Sequence, residues 1–186
     1  MLSRPTVRRL ARSVTTLAGA LLVGAVLANC GEDEAPVAPT PLVKFRATLV
    51  GSEEVPPVIT MATGSSEFTL SRTNDTLFVN ITVNGLSNIR FGHFHTGARG
   101  ANGAVVATLV EPPTLAGSQN GRIGRQFITA TNLSGTLAGQ PLSALVTQLR
   151  AGGIYVNLHT DANGGGEVRG QVALVPERLG AVVGGK

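Results

Sequence analysis

The feature that most limits the possible folds is a regular alternation of residue types between Leu77 and Asn84. Its first, third, fifth and seventh positions are apolar: Leu77, Val79, Ile81 and Val83. Successive side chains of a β-strand point to opposite faces, so this spacing predicts a strand with one buried face. Comparable segments predict further strands at Lys44–Val50, Ser66–Arg72, Ala104–Val110, Ile123–Ala130, Ile154–Thr160 and Glu167–Val175.

Turn-forming residues separate these segments. Turn chemistry occurs at Asn74-Asp75, Asn84-Gly85, Gly100–Gly103 and Asn163–Gly166. Within 141–150, apolar residues follow helical spacing, and Gly152 and Gly153 lie beyond as a stop signal. Many short strands with one short helix near 141–150 predict an all-β fold, an antiparallel Greek-key β-sandwich or barrel.

The first 29 residues have the pattern of a signal peptide. Four arginines precede an apolar run of twelve residues, Leu17–Ala28, which is too short to span a membrane. Cys30 follows directly, and the segment resembles a bacterial lipoprotein signal in which that cysteine is lipidated, although Asn29 stands where a smaller residue is usual. The alternative is an ordinary signal peptide cut after Ala28. Both interpretations predict an extracytoplasmic protein, either a membrane-anchored lipoprotein or a secreted or periplasmic one.

The remaining chain divides into three parts. Residues 30–41 are acidic and proline-rich, which predicts a flexible tether. Residues 42–175 are predicted to form one domain, and residues 176–186 a loose tail.

Charge and cysteine usage exclude some classes of protein. Four of the 15 basic residues precede Cys30, so eleven remain against 11 acidic residues. No basic surface for nucleic acid is therefore predicted. A single cysteine excludes an intramolecular disulfide, and the predicted membrane contact is through a lipid anchor only.

The three histidines of the chain are the candidate site. His93 and His95 are separated by one residue and would share a strand face, and His159 ends another predicted strand. The same alternation predicts that all three lie on outer faces of the fold, together with Glu167 and Arg169. Three imidazoles suit copper or zinc with one position left open. The alternative is that they are surface polar residues bonded to the backbone of glycine-rich turns.

Other acidic residues are weaker candidates for chemistry. Glu53 and Glu54 could act as a general acid and base, but their position before Val55-Pro56-Pro57 is more typical of solvated residues. No arrangement of serine, histidine and acid suggests a nucleophilic site.

Three groups of residues resemble the CHRD (chordin-type) domain family. They are Phe45–Gly51 with Glu54–Val58 and Ala62–Gly64, then His93–Gly97 with Gly100–Gly103, and finally Tyr155–Thr160 with Gly165–Gln171. The resemblance covers nearly all of the predicted domain. It implies a secreted, β-rich module without an established catalytic activity.

A second resemblance is to copper/zinc superoxide dismutase, an immunoglobulin-like Greek-key barrel. His93 and His95 are similar to its first pair of copper ligands, and His159 is similar to a third. Arg169 is similar to the arginine that guides the anion. The bridging histidine and the zinc ligands of that enzyme have no counterpart here.

These observations lead to three functional hypotheses. The first is a non-enzymatic cell-envelope module that binds an unknown protein or small ligand through its outer face, with a copper or zinc site at the histidines. The alternatives are a copper-dependent redox enzyme and a purely structural spacer.

Overall fold

The computed structural model describes residues 42–176. The predicted signal peptide, Cys30, the tether at 30–41 and the tail beyond Pro176 lie outside the described residues, so these assignments stay predictions.

The described chain forms nine β-strands and one α-helix. The strands are β1 (Lys44–Val50), β2 (Thr63–Leu70), β3 (Leu77–Thr96), β4 (Val105–Val110), β5 (Leu115–Ile123), β6 (Phe127–Ile128), β7 (Ile154–Thr160), β8 (Val168–Gln171) and β9 (Ala173–Leu174). The helix α1 spans Leu142–Arg150, and short 3-10 turns lie at Gly51–Glu53, Ala130–Asn132 and Gly135–Leu137. No helix among residues 42–176 combines the length and the apolar character needed to cross a bilayer.

Five strands close into an antiparallel barrel in the order β1, β2, β3, β7 and β8, with β8 pairing back to β1. The remaining strands attach outside this ring: β4, β5 and β6 pair with β3, and β9 pairs with β1. The predicted all-β antiparallel sandwich or barrel with one short helix is confirmed.

Strand β3 is long because it changes partners along its length. Its first half lies between β2 on one side and β5 and β6 on the other, and its second half lies between β7 and β4. The turn predicted at Asn84-Gly85 is wrong, because both neighbouring strands hold the backbone through this point. Asn84 pairs with Thr63, and the β5 ladder resumes at Leu86 after a register shift. Gly85, with φ of 69°, absorbs the irregularity without reversing the chain.

The apolar face predicted from the alternation forms part of the core. Leu77, Val79, Ile81 and Val83 are all buried, as are the four apolar residues on one face of α1. Phe68 and Phe94 meet in the interior with ring centroids 4.8 Å apart. The barrel core is therefore on one side of β3 and β7, and the opposite side of these strands is available for polar residues.

Candidate metal centre

The register between β3 and β7 places all three histidines on one face. His93 lies opposite Asn157, His95 opposite Tyr155, and Phe91 opposite His159. Because side chains alternate along both strands, these residues share the face that points away from Phe94 and the core. His93 and His159 are therefore diagonal neighbours.

The histidine side chains converge as the spacing predicts. Nδ1 of His93 lies 3.1 Å from Nε2 of His159, and the potential ligand atoms of the three residues all lie within 4.8 Å of one another. Two nitrogens on one tetrahedral ion with bonds of 2.0–2.1 Å are about 3.3 Å apart. Side-chain rotations that bring the rings about 1.5 Å closer would therefore place the three nitrogens around one ion.

Backbone carbonyls fix the tautomers of two histidines. Nδ1 of His95 lies 3.0 Å from the oxygen of Gly103, and Nδ1 of His159 lies 3.0 Å from the oxygen of Gly164. A carbonyl only accepts, so each Nδ1 carries the proton and each Nε2 keeps its lone pair. His93 then donates from Nδ1 to His159. Nε2 of His95 is buried and has no hydrogen-bond partner among the described residues.

The environment favours neutral imidazoles. Burial, and then the nearby His159 and His95, lowers the pKa of His93 from 6.5 to about 4. Burial also lowers the pKa of His95 and of His159, and the Gly103 and Gly164 carbonyls oppose that effect. Only the neutral imidazole binds a metal, so the cluster is ready to coordinate at neutral pH.

The expectation that this face is exposed is wrong. Alternation assigns the residues to the correct side of the strands, but loops cover that side. His95 and Glu167 are each 9% exposed and Arg169 is 2% exposed, while His93 and His159 remain partly accessible. The covering is held by hydrogen bonds, including one from Nδ2 of Asn102 to the oxygen of Val55.

A stack of three side chains supports His95. The Tyr155 ring lies parallel to the His95 ring at 4.9 Å between centroids, and the Arg169 guanidinium lies 3.4 Å above the centre of the tyrosine ring. The Tyr155 hydroxyl accepts a hydrogen bond from the Gly103 amide, whose carbonyl in turn holds His95. Sequence reasoning did not single out Tyr155, although its position four residues before His159 puts it on the same face.

The polar contacts of Arg169 and Glu167 favour a supporting role for both. The Arg169 guanidinium donates to Ala101 and to the Asn102 side chain, behind Tyr155 as seen from His95. This placement does not suit guidance of an anion to the histidines. Glu167 accepts hydrogen bonds from Thr60 and Thr160, so it joins a loop to β7.

Glu54 is a buried acid beside the cluster, which corrects its interpretation as a solvated residue. It is 5% exposed, and burial raises its pKa from 4.5 to about 7 against the opposing charge of Arg169. Its Oε2 accepts from Asn157 at 3.2 Å. Its Oε1 and the Oδ1 of Asn157 have no partner within the described part of the chain. Glu53, in contrast, forms an ion pair with Arg99 at the surface.

Comparison with known proteins gives one family. The model of the CHRD domain family matches residues 45–172, which is more than half of the chain and includes all three histidines. No curated protein matches the sequence.

Proposed function

This chain belongs to the CHRD domain family, and on that premise we propose that it is a non-enzymatic, extracytoplasmic module that binds one copper or zinc ion through His93, His95 and His159. Family membership supports a non-enzymatic module, and the convergence of the histidines supports the metal. A protein or small-molecule partner of the outer face is part of the same proposal.

The observation that carries the metal proposal is the state of the nitrogens. His95 and His159 each have Nδ1 bonded to a carbonyl, which leaves Nε2 as the nitrogen whose lone pair can bind an ion. The buried Nε2 of His95 lacks any other partner, and an unpaired buried acceptor is costly. A metal ion at this point would satisfy that atom and take the lone pair of His159 Nε2 in place of the hydrogen bond from His93, whose proton would stay on the ring nitrogen that does not bind the ion.

The donor set selects the class of metal. Three imidazoles are ligands of intermediate softness that suit Cu(II) and Zn(II), whereas Ca²⁺ and Mg²⁺ require oxygen ligands. Neither Glu54 nor Glu167 belongs to the group of described side chains close enough to share an ion: Glu54 accepts from Asn157 through one oxygen, and Glu167 accepts from two threonines. We do not extend the proposal to superoxide chemistry, because Arg169 is committed to Ala101 and Asn102.

The cellular location completes the proposal. In this proposal the domain is tethered to the membrane by a lipid on Cys30. Metabolic labelling with a fatty acid tests this anchor: the wild-type chain takes up label and sediments with membranes, and Cys30→Ser does neither. Membrane association of an unlabelled Cys30→Ser variant would refute the anchor.

Metal stoichiometry tests the site itself. The full chain, untagged and carrying Cys30→Ser so that the thiol binds no metal, is dialysed with Cu(II) or Zn(II) and analysed by mass spectrometry. We expect one ion per chain, lost in the double variant His93→Ala/His95→Ala.

Asn80→Ala is the matched control, because Asn80 is exposed on the same strand, away from the cluster. It should keep one ion per chain. The metal proposal is wrong if metal content in the wild-type chain is far below one ion, or if it is unchanged in the double histidine variant.

A further inference from the structure

We propose that the ion held by the three histidines keeps one coordination position that binds a small anion from solvent. This inference rests on the proposed metal site and specifies what the loaded site takes as its ligand.

The protein offers three ligands and no fourth. Among residues 42–176, the group of side chains close enough to share an ion contains His93, His95 and His159 and no cysteine or carboxylate. Zinc and copper sites with three imidazoles complete their coordination with a fourth ligand, which is water or an exogenous molecule when the protein supplies none.

The open position faces solvent beside His93 and His159. His95 is buried, and the Tyr155 ring and the Arg169 guanidinium close the space behind it. His93 and His159 are partly exposed, and the Phe91 ring that stacks on His93 is itself 36% exposed. A small molecule can therefore approach the ion only from the side of these two histidines.

Charge selects an anion. Imidazoles bind metals in their neutral form, so three of them leave the full charge of a divalent ion uncompensated. Arg169, on the other side of the cluster, is also positively charged. Its guanidinium lies behind His95, separated from it by the Tyr155 ring. Glu54 and Glu167 do not join the ligand group, so no carboxylate of the described residues neutralises the ion within its coordination sphere. A monoanion in the open position therefore gains electrostatic energy that a neutral ligand does not.

The inference is tested by titrating azide into the copper-loaded full chain, again carrying Cys30→Ser, in chloride-free buffer. Copper content is measured first, so that the proposed function and this inference fail separately. We expect a new azide-to-copper charge-transfer band that saturates at one azide per copper. Acetate should displace the azide, and the neutral ligand acetonitrile at the same concentration should not.

Two results would overturn the inference while leaving the metal site intact. One is a chain with a full copper ion but no azide band, which would mean that the coordination sphere is closed. The other is displacement by acetonitrile as effective as that by acetate, which would remove the preference for an anion. A chain that binds neither copper nor zinc overturns the proposed function and this inference together.

Discussion

The substitution Glu54→Gln should remove a pH-dependent loss of stability. Glu54 is buried beside Asn157 and Arg169, and its pKa rises from 4.5 to about 7 on folding. Glutamine has nearly the same shape and is neutral at every pH. Its amide can also donate to the unpaired Oδ1 of Asn157.

The sign of the effect follows from the raised pKa. Below pH 4.5 the carboxyl is protonated in both the folded and the unfolded chain, so it makes no pH-dependent contribution. Between pH 4.5 and about 7 the unfolded chain releases the proton while the folded chain retains it, and the wild-type free energy of unfolding falls. The rise in pKa from 4.5 to about 7 corresponds to about 3 kcal/mol in the free energy of unfolding, and the wild-type chain has lost this amount in full by pH 8.

Urea unfolding of both chains at pH 4 and pH 8, with a chelator present, measures this change. The stability of Glu54→Gln minus that of the wild-type chain should rise by about 3 kcal/mol between the two pH values, and other titrating groups cancel in the comparison. The control Glu53→Gln removes a surface ion pair with Arg99 that is worth about 0–1 kcal/mol. An equal difference at both pH values, or a decrease toward pH 8, would refute the assignment of Glu54 as a buried acid.

Three further predictions concern the cluster and its supports. Because the pKa values of all three histidines are lowered, zinc affinity should fall less than about tenfold from pH 7.5 to pH 6 in a competition titration. Three imidazoles with a pKa of 6.5 would instead lose zinc affinity on the order of 50-fold over the same range. A loss of that size would contradict the neutral state of the histidines. Tyr155→Leu should weaken zinc binding about 10- to 100-fold, because it removes the ring stacked on His95. Tyr155→Phe should keep the zinc affinity and lower the free energy of unfolding by about 1 kcal/mol, because it removes only the hydrogen bond to Gly103. Equal zinc affinities in the two variants would show that the stack does not position His95. Gly166→Ala should lower the melting temperature clearly, because its φ is 130° and the added carbon would meet the Asn157 and Glu54 side chains. The control Gly165→Ala, with no atom within 4 Å of its added carbon, should change the melting temperature little. Equal shifts in the two variants would contradict the close packing around Gly166.

The strands that could be predicted are those in which the apolar positions of the sequence are also buried in the fold. Strands β1 and β7 begin and end where alternation predicts, since each buries a continuous apolar face. Strand β5 was missed because its residues, from Leu115 to Ile123, are mostly small, polar and exposed, so no apolar alternation marks it. The Asn84-Gly85 pair has local turn chemistry, but pairing with β2 and β5 outweighs that preference.

The candidate site was predictable in its members and not in its surroundings. The spacing of His93 and His95 requires a common face, and the register with β7 brings His159 beside them. The covering of this face depends on contacts between residues far apart in the chain, such as the bond from Arg169 to Ala101, 68 positions away. Local periodicity carries no information about such contacts, so the burial of Glu54 could not be read from its neighbours.

The three imidazoles lie on alternate residue pairs of the β3–β7 ladder, and this position affects which changes in chain length the protein can tolerate. His93 and His159 are 66 positions apart in the sequence, yet the distance between them is set by the spacing of neighbouring strands, about 4.8 Å, together with their offset of two residues along the ladder. Insertions or deletions in the connection after β4 would leave that spacing intact. A single-residue insertion within β7 would instead turn His159 toward the barrel interior, because it reverses the side of every following residue.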